Sequence, residues 1–316
     1  MSPKVSICIP AYKRVALLRK VLESLLEQTF IDYEVIITDD TPDDSVQKLL
    51  QEFNFKDKLK YFRNEVQLGS PENWNSAIRK AEGEYIKILH CDDFFASRDS
   101  LAKYVELLDK NPDAGFGFSA TDVFHVEENE HEIYTCSSKH FLRIQKEPEF
   151  LFFKNVIGGP SATIHRRKIS LEYDKNVKWV VDIDFYIRVL KKGYKMVYSP
   201  EPLICTSDGA DGQITQAVMN DKNIQIREHI ILYAKLLDGN PEIERNKFLL
   251  YFKILFYSYK VNSIEEVNGI YAISEKLIPF FDDVFKSLHK HMLWTRIKIK
   301  LYNSALNKKL FKREVY

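Results

Sequence analysis

The sequence predicts an α/β domain over residues 1–213, a mixed but mostly parallel sheet flanked by helices, followed by a helical region over residues 214–316. Three observations lead there. Strand-like and helix-like segments alternate from Val5 to Leu89 in a βαβαβαβ order, which implies parallel strands covered by crossover helices. Polar clusters fall just after the strands, the edge where such sheets bind ligands. Beyond Ile214 the alternation gives way to consecutive helical periodicities.

Val5-Ser6-Ile7-Cys8-Ile9 reads as a buried strand that stops at Pro10. Leu17, Leu18, Val21, Leu22, Leu25 and Leu26 then recur at helical spacing. Glu34-Val35-Ile36-Ile37-Thr38 is a second strand ending in Asp39-Asp40, and Asp43-Asp44-Ser45 opens a helix carrying Val46, Leu49 and Leu50. Lys60-Tyr61-Phe62 is a short third strand. Pro71-Glu72 starts a helix with Trp74, Ala77, Ile78 and Ala81 on one face, closed by Gly83. Tyr85-Ile86-Lys87-Ile88-Leu89 is the fourth strand, ending in His90-Cys91-Asp92-Asp93. One Asp-Asp pair is most simply a turn or a cap. Here Tyr12, Lys13 and Arg14, then Asp39 and Asp40, then Asp92 and Asp93 converge on one edge, which marks a binding site.

Apolar residues make up 45% and charged residues 29%, a globular balance that excludes a disordered chain. No apolar run approaches the ~20 residues that span a bilayer. The net charge of +1 hides a segregation: Lys286 to Tyr316 carries nine basic residues against Glu314 alone, so the rest of the chain is acidic by seven. Four scattered cysteines without a Cys-x-x-Cys pair, and no signal-peptide apolar stretch, predict a reduced, cytoplasmic setting. Gly-x-Gly-x-x-Gly and Gly-Lys-Ser/Thr phosphate loops are both absent. A divalent cation bridging carboxylate and phosphate oxygens would serve instead, and Asp92-Asp93 suits that task.

At this point the residues resemble the family 2 glycosyltransferases of GT-A fold. The matching pieces are Val5 to Arg14, Gln28-Thr29-Phe30, Tyr33 to Asp40, Asn64, Gly69, Asn73-Trp74-Asn75, Ala81 to Ile86, Leu89 to Asp93, and Trp179 to Glu201 in part. Each is weak alone; the ordered set over about residues 4–205 is specific. The resemblance implies a Rossmann-like sheet and transfer of a sugar, with inversion, from a nucleotide diphosphate sugar to an acceptor hydroxyl. UDP is the implied carrier, with a thymine base the alternative, and the donor class is hexosyl or N-acetylhexosaminyl. The setting implied is surface polysaccharide or glycolipid synthesis at the inner membrane face. Carried over residue by residue, Pro10, Ala11 and Tyr12 line the base pocket with Arg14 and Asp39 beside them, and Asp40 hydrogen-bonds the base. Asn73 reaches the donor, Asp92 contacts the ribose, Asp93 holds Mn2+ or Mg2+, and Asp182 is the general base. These residue types fit the chemistry: a carboxylate accepts an imide N–H, a cation steadies a diphosphate leaving group, and a carboxylate removes the attacking hydroxyl's proton.

There are departures. His90 stands where many relatives have an aspartate, and reads as a strand-end residue satisfied by backbone, or as facing the ribose or the metal. Val181 replaces the usual glutamate before the base, so no adjacent carboxylate raises the proton affinity of Asp182. Asp184 points away at i+2 and suits Arg188 at i+4. The histidine expected after the last strand is missing, with Asp208, Asp211 or Gln213 as substitutes. Trp74 and His165 read as core. Gly158-Gly159-Pro160-Ser161 is a connecting turn or a wall of the acceptor site, and Trp179 is a stacking platform or apolar cover.

In the C-terminal region Tyr251 to Tyr259 is apolar on nearly all sides and is expected to be buried in a bundle or a subunit interface. Leu293, Trp294, Ile297 and Leu301 share a face beside Lys290, Arg296, Lys298 and Lys300, which fits peripheral membrane contact or docking on an acidic subunit. No nucleic-acid partner is expected. Two rival functions are a catalytically weak nucleotide-sugar binding protein and a nucleotidyltransferase; Pro10 to Arg14 lacks the glycines that the latter requires.

Overall fold

The structure, a computed structural model, describes residues 2–208, 218–239 and 243–290. They form two compact units. The first holds the described residues up to 208 apart from Phe152–Lys154 and Lys178–Val180, which belong with the second.

The first unit opens with β1 (Val5–Ala11), α1 (Val15–Leu26), β2 (Tyr33–Asp39), α2 (Ser45–Leu50), β3 (Leu59–Arg63), α3 (Glu72–Arg79) and β4 (Tyr85–Ile88). It continues with β5 (Phe94–Phe95), α4 (Ser100–Asp109), β6 (Ala114–His125), β7 (Glu130–Tyr134), α5 (Ser138–Lys146), β8 (Thr163–Arg166), α6 (Val181–Lys191) and β9 (Lys195–Asp208). The strands lie in one sheet of order β3-β2-β1-β4-β8-β6-β9-β5, with β7 added on β6. β3, β2, β1 and β4 are mutually parallel, as the alternating pattern requires. Beyond them the sheet is mixed: β8 is antiparallel to both β4 and β6, β9 parallel to β6, and β5 antiparallel to β9.

The first strands are buried on both faces, which explains their continuous apolar runs. Val5, Ile7, Ile9 and Ala11 of β1 pack with Leu18, Val21, Leu22 and Leu25 of α1 and with Val35 and Ile37 of β2. β1 runs through Pro10 rather than stopping there. Cys8 accepts the Leu89 N–H from the β4 side, and Pro10 faces the same way; β4 ends at Ile88, so the missing proline N–H costs no ladder bond. Gly83 ends the α3 connection for a reason of space: a Cβ there would stand 2.6 Å from the Ser6 nitrogen.

The second unit contains α7 (Lys222–Gly239), α8 (Arg245–Ser258), α9 (Ile264–Ile270) and α10 (Ile278–Lys290). Its core is aromatic: Phe252 meets Tyr233, Phe280 and Phe281 edge-on, and Phe256 stacks on Phe285 at 5.1 Å. α8 buries one stripe, Phe248, Phe252, Leu255 and Phe256, rather than all its sides; Leu250 remains 55% exposed. Pro279 does not separate helices but sits in the first turn of α10, where its missing N–H is harmless. Among the described residues no helix is long and apolar enough to cross a membrane. Asp211, Gln213 and the basic face from Leu293 to Leu301 lie outside the described residues.

Candidate active site

The carboxyl ends of β1, β2 and β4 are stitched together by side chains. Asp39 is fully buried; its carboxylate accepts the Tyr61 hydroxyl and the Thr41 N–H, both at 2.8 Å. Asp40 accepts the Asn64 amide at 2.8 Å and the N–H groups of Leu68 and Gly69 at 3.0 and 2.8 Å. Asn73 donates to the carbonyls of Thr38 and Ala11 and accepts from Asn64. These residues therefore order the edge and the 64–69 loop. Beside them Tyr12 is exposed, with the Lys13 ammonium over its ring. Lys13 and Arg14 both adopt left-handed backbone, an uncommon conformation for side chains of this size. That turn aims Arg14 at Asp92, and the two form an ion pair of 2.6 Å.

The acid pair lies at the end of β4. His90, Asp92 and Asp93 each bring one ligand atom within 4.8 Å of the others, the one such group among the described residues. Burial and the neighbouring Asp92 push the Asp93 carboxyl well above the usual range, with Ser161, Lys87 and Arg14 opposing. Two carboxyl groups so placed ionise together when a cation joins them. The His90 ring is not satisfied by backbone, contrary to the simplest sequence reading. Its Nδ1 stands 3.8 Å from Asp93, its Nε2 is buried without a hydrogen-bond partner, and burial lowers its pKa to about 4. A neutral imidazole grouped with two carboxylates, its Nδ1 near Asp93, is a donor set that fits a divalent cation. Asp208 is engaged elsewhere, accepting from His125 at 3.2 Å. Beneath the pair, the fully buried Lys87 donates to the Ser161 carbonyl and lies 4.5 Å from the Tyr104 ring centre; burial lowers its pKa to about 7.

Asp182 lies in the first turn of α6. Its Oδ2 accepts the Asn155 side-chain amide at 2.9 Å and its Oδ1 the Ile183 N–H at 2.9 Å. Burial pushes its pKa up to about 6, although no second carboxylate adjoins it. Asp184 pairs with Arg188 at 2.7 Å, as its i+4 spacing implies.

One short segment joins the two carboxylate centres. Asn155 holds Asp182 and also accepts from the N–H groups of Ile157 and Gly158. Six residues on, the Ser161 hydroxyl receives the His90 N–H at 3.0 Å and interacts with Asp93. Trp74 is core, as expected, but it packs on the His90 ring at 4.5 Å and edge-on to Tyr173, which stacks on Phe185 of α6. The roles of Asn155 and Lys87 escape sequence reasoning, and for Ser161 the sequence suggests only a turn or an acceptor-side wall, not a partner of His90 and Asp93. Each acts through a partner 27 to 74 residues away, which the local pattern around it does not disclose.

Comparison with known proteins places the chain in a family. The glycosyl transferase family 2 model matches residues 6–172, just over half of the chain. An uncharacterised glycosyltransferase of Haemophilus influenzae is 26% identical over 289 residues, covering 89% of this chain and 90% of its own. A GalNAc(5)-diNAcBac-PP-undecaprenol beta-1,3-glucosyltransferase of Campylobacter jejuni is 34% identical over 93 residues, 29% of this chain and 30% of that one. Among solved structures, S. aureus TarS 1-349 in complex with UDP-GlcNAc superposes with a TM-score of 0.61 at 17% identity, over 90% of this chain and 80% of that one. The mannosyltransferase PcManGT of Pyrobaculum calidifontis, with GDP-Man and Mn2+, gives 0.55 at 16%, over 99% and 89%. These are GT-A folds, and the mixed sheet described above is of that kind. By the match of the family model over more than half of its length, the chain belongs to glycosyl transferase family 2.

Proposed function

We propose that the chain is an inverting glycosyltransferase that moves a sugar from a UDP-linked donor to a hydroxyl of a saccharide or glycolipid acceptor, with Asp182 as base and a divalent cation at Asp93. One observation carries the reading. The segment from Asn155 to Ser161 holds a carboxylate of raised proton affinity at one end and a cation-type donor set at the other. A pKa near 6 leaves Asp182 ionised at neutral pH yet basic enough to accept a proton.

Asp182 takes the acceptor hydroxyl's proton as its oxygen bonds to the anomeric carbon and the bond to the diphosphate breaks. A single displacement inverts the centre and needs no covalent nucleophile. A divalent cation, when bound, neutralises the charge on the leaving diphosphate. The Arg14 guanidinium adds a fixed positive group at the same edge. Tyr12, exposed beyond the ordered Asp39-Asp40-Asn73 network, offers a ring for the base. The donors seen with TarS and PcManGT support the nucleotide-sugar class, and the undecaprenol-linked substrate in the Campylobacter enzyme's name supports a glycolipid acceptor.

The test is transfer from a panel of nucleotide sugars with Mn2+, alongside calorimetry with UDP. Turnover in the wild type, falling by about two to four orders of magnitude in Asp182→Asn with UDP binding retained, supports the proposal. Binding without turnover across acceptors favours a nucleotide-sugar binding protein. Unimpaired turnover in Asp182→Asn removes the base assignment.

A further inference from the structure

We infer that His90 is a cation ligand, supplying a ring nitrogen beside Asp92 and Asp93 and thereby favouring Mn2+ over Mg2+. This rests on the donor reading above and concerns the ion that the site selects.

Three observations carry it. The first is the unpaired ring: His90 Nε2 is buried without a hydrogen-bond partner and Nδ1 stands 3.8 Å from Asp93, beyond hydrogen-bond reach, whereas buried polar atoms are normally paired. The second is placement. A ring nitrogen and one oxygen from each aspartate all lie within 4.8 Å of one another. Trp74 packs on the ring at 4.5 Å, and the backbone that carries it is pinned on both sides, the His90 N–H donating to Ser161 and the His90 carbonyl accepting the Asp93 N–H at 3.1 Å. A fixed backbone and one packed ring face limit the orientations that the imidazole can take.

The third is charge. An aspartate at position 90 would give the site three carboxylates; this chain has two. Arg14 already stands against them, paired to Asp92 at 2.6 Å, and the buried Lys87, when protonated, adds its field at Asp93. An ion held by oxygen ligands and charge alone is the one weakened by this balance. Mg2+ is such an ion, strongly hydrated and bound by oxygens. A first-row transition ion gains from an imidazole what it loses in carboxylate charge. The histidine thus changes the kind of bond the site can make, not only its charge.

The test uses tag-free, full-length protein with Mn2+ alone as the probe. Pulsed electron paramagnetic resonance of the Mn2+-loaded wild type is expected to show nitrogen-14 modulation. His90→Asp, which keeps a ligand of similar reach, is expected to bind Mn2+ without that modulation. Calorimetry is expected to give the wild type a preference for Mn2+ over Mg2+ about tenfold greater than that of His90→Asp. His90→Asn, checked by circular dichroism, serves if the aspartate variant misfolds. Wild-type protein that binds no Mn2+, or binds it without nitrogen modulation, overturns the inference. So does an unchanged ion preference in His90→Asp. Nitrogen-coupled Mn2+ in a protein that turns over no nucleotide sugar would instead overturn the proposed function and leave His90 as a ligand.

Discussion

Removing the Asn155 amide should move the pH dependence of transfer. Its Nδ2 donates to Asp182 Oδ2 at 2.9 Å and so favours the ionised carboxylate, whose pKa burial has pushed up to about 6. A hydrogen bond to a charged group contributes about 1.5–3 kcal/mol, and ~1.4 kcal/mol is a factor of ten in ionisation. Asn155→Ala should therefore raise the acid limb of the kcat/KM profile by about one to two pH units. At pH 7 the wild-type base is about nine-tenths ionised; the variant's would be about half to one-tenth ionised, a loss of about two- to tenfold. Near pH 9 the two should converge. Tyr173 and Tyr186 are kept protonated by burial and add no charge in this window, and Arg188 is engaged by Asp184. The assay is nucleotide release from the active donor with Mn2+ between about pH 5 and 10. Asn155 also braces its loop through Ile157 and Gly158, so a purely structural role predicts the same fractional loss at every pH. That flat loss, or an unmoved limb, refutes the argument.

Asp182→Asn should lose transfer yet gain stability. A carboxylate whose folded pKa is raised binds its proton more tightly in the fold, so ionising it as pH rises through about 6 costs up to about 3 kcal/mol. The variant's Tm should exceed the wild type's at pH 8 and match it near pH 4; a constant difference removes the explanation. Lys87 shows the opposite case. Its pKa is depressed to about 7, so the cost of burying its charge is largest at low pH and fades as pH rises toward the unfolded value. Lys87→Met should stabilise relative to wild type by a few kcal/mol near pH 6 and by less near pH 10, as read from urea unfolding. In the second unit, Glu228 accepts the N–H groups of Lys178, Trp179 and Val180. Glu228→Ala orphans three buried or half-buried donors and should cost about 3–5 kcal/mol in denaturant; a cost under about 1 would show that water replaces the carboxylate.

The strands that the sequence discloses are those with both faces covered, β1, β2 and β4, because unbroken apolar runs such as Val35-Ile36-Ile37 have few other uses. The other side of the sheet is harder to read. β6 carries Gly115 and Gly117, β9 contains Pro200 and Pro202, and β8 is four residues long, so pairing with neighbours rather than local preference makes them strands. In the site, Asp92, Asp93 and Asp182 stand out because carboxylates at element ends are conspicuous in a sequence. The raised pKa of Asp182 does not, since its cause is burial and not the missing glutamate at 181. The roles of Asp39, Asp40 and Asn73 within the edge, and of Asn155 at the base, are tertiary hydrogen bonds that no local pattern encodes.

The left-handed turn at Lys13 and Arg14, the unpartnered His90 nitrogen, the buried Lys87 and the confined carboxylate of Asp182 all belong to the candidate site. Each is a local sacrifice of folding free energy, and together they bear on directed evolution. A library screened for heat resistance alone should accumulate substitutions at 14, 87, 90 and 182, and its most robust survivors should be inert. A screen that demands both properties should leave those positions alone. It should find its gains in the aromatic helices of the second unit, where exposed Leu250 and Tyr257 already sit beside a well-packed stripe.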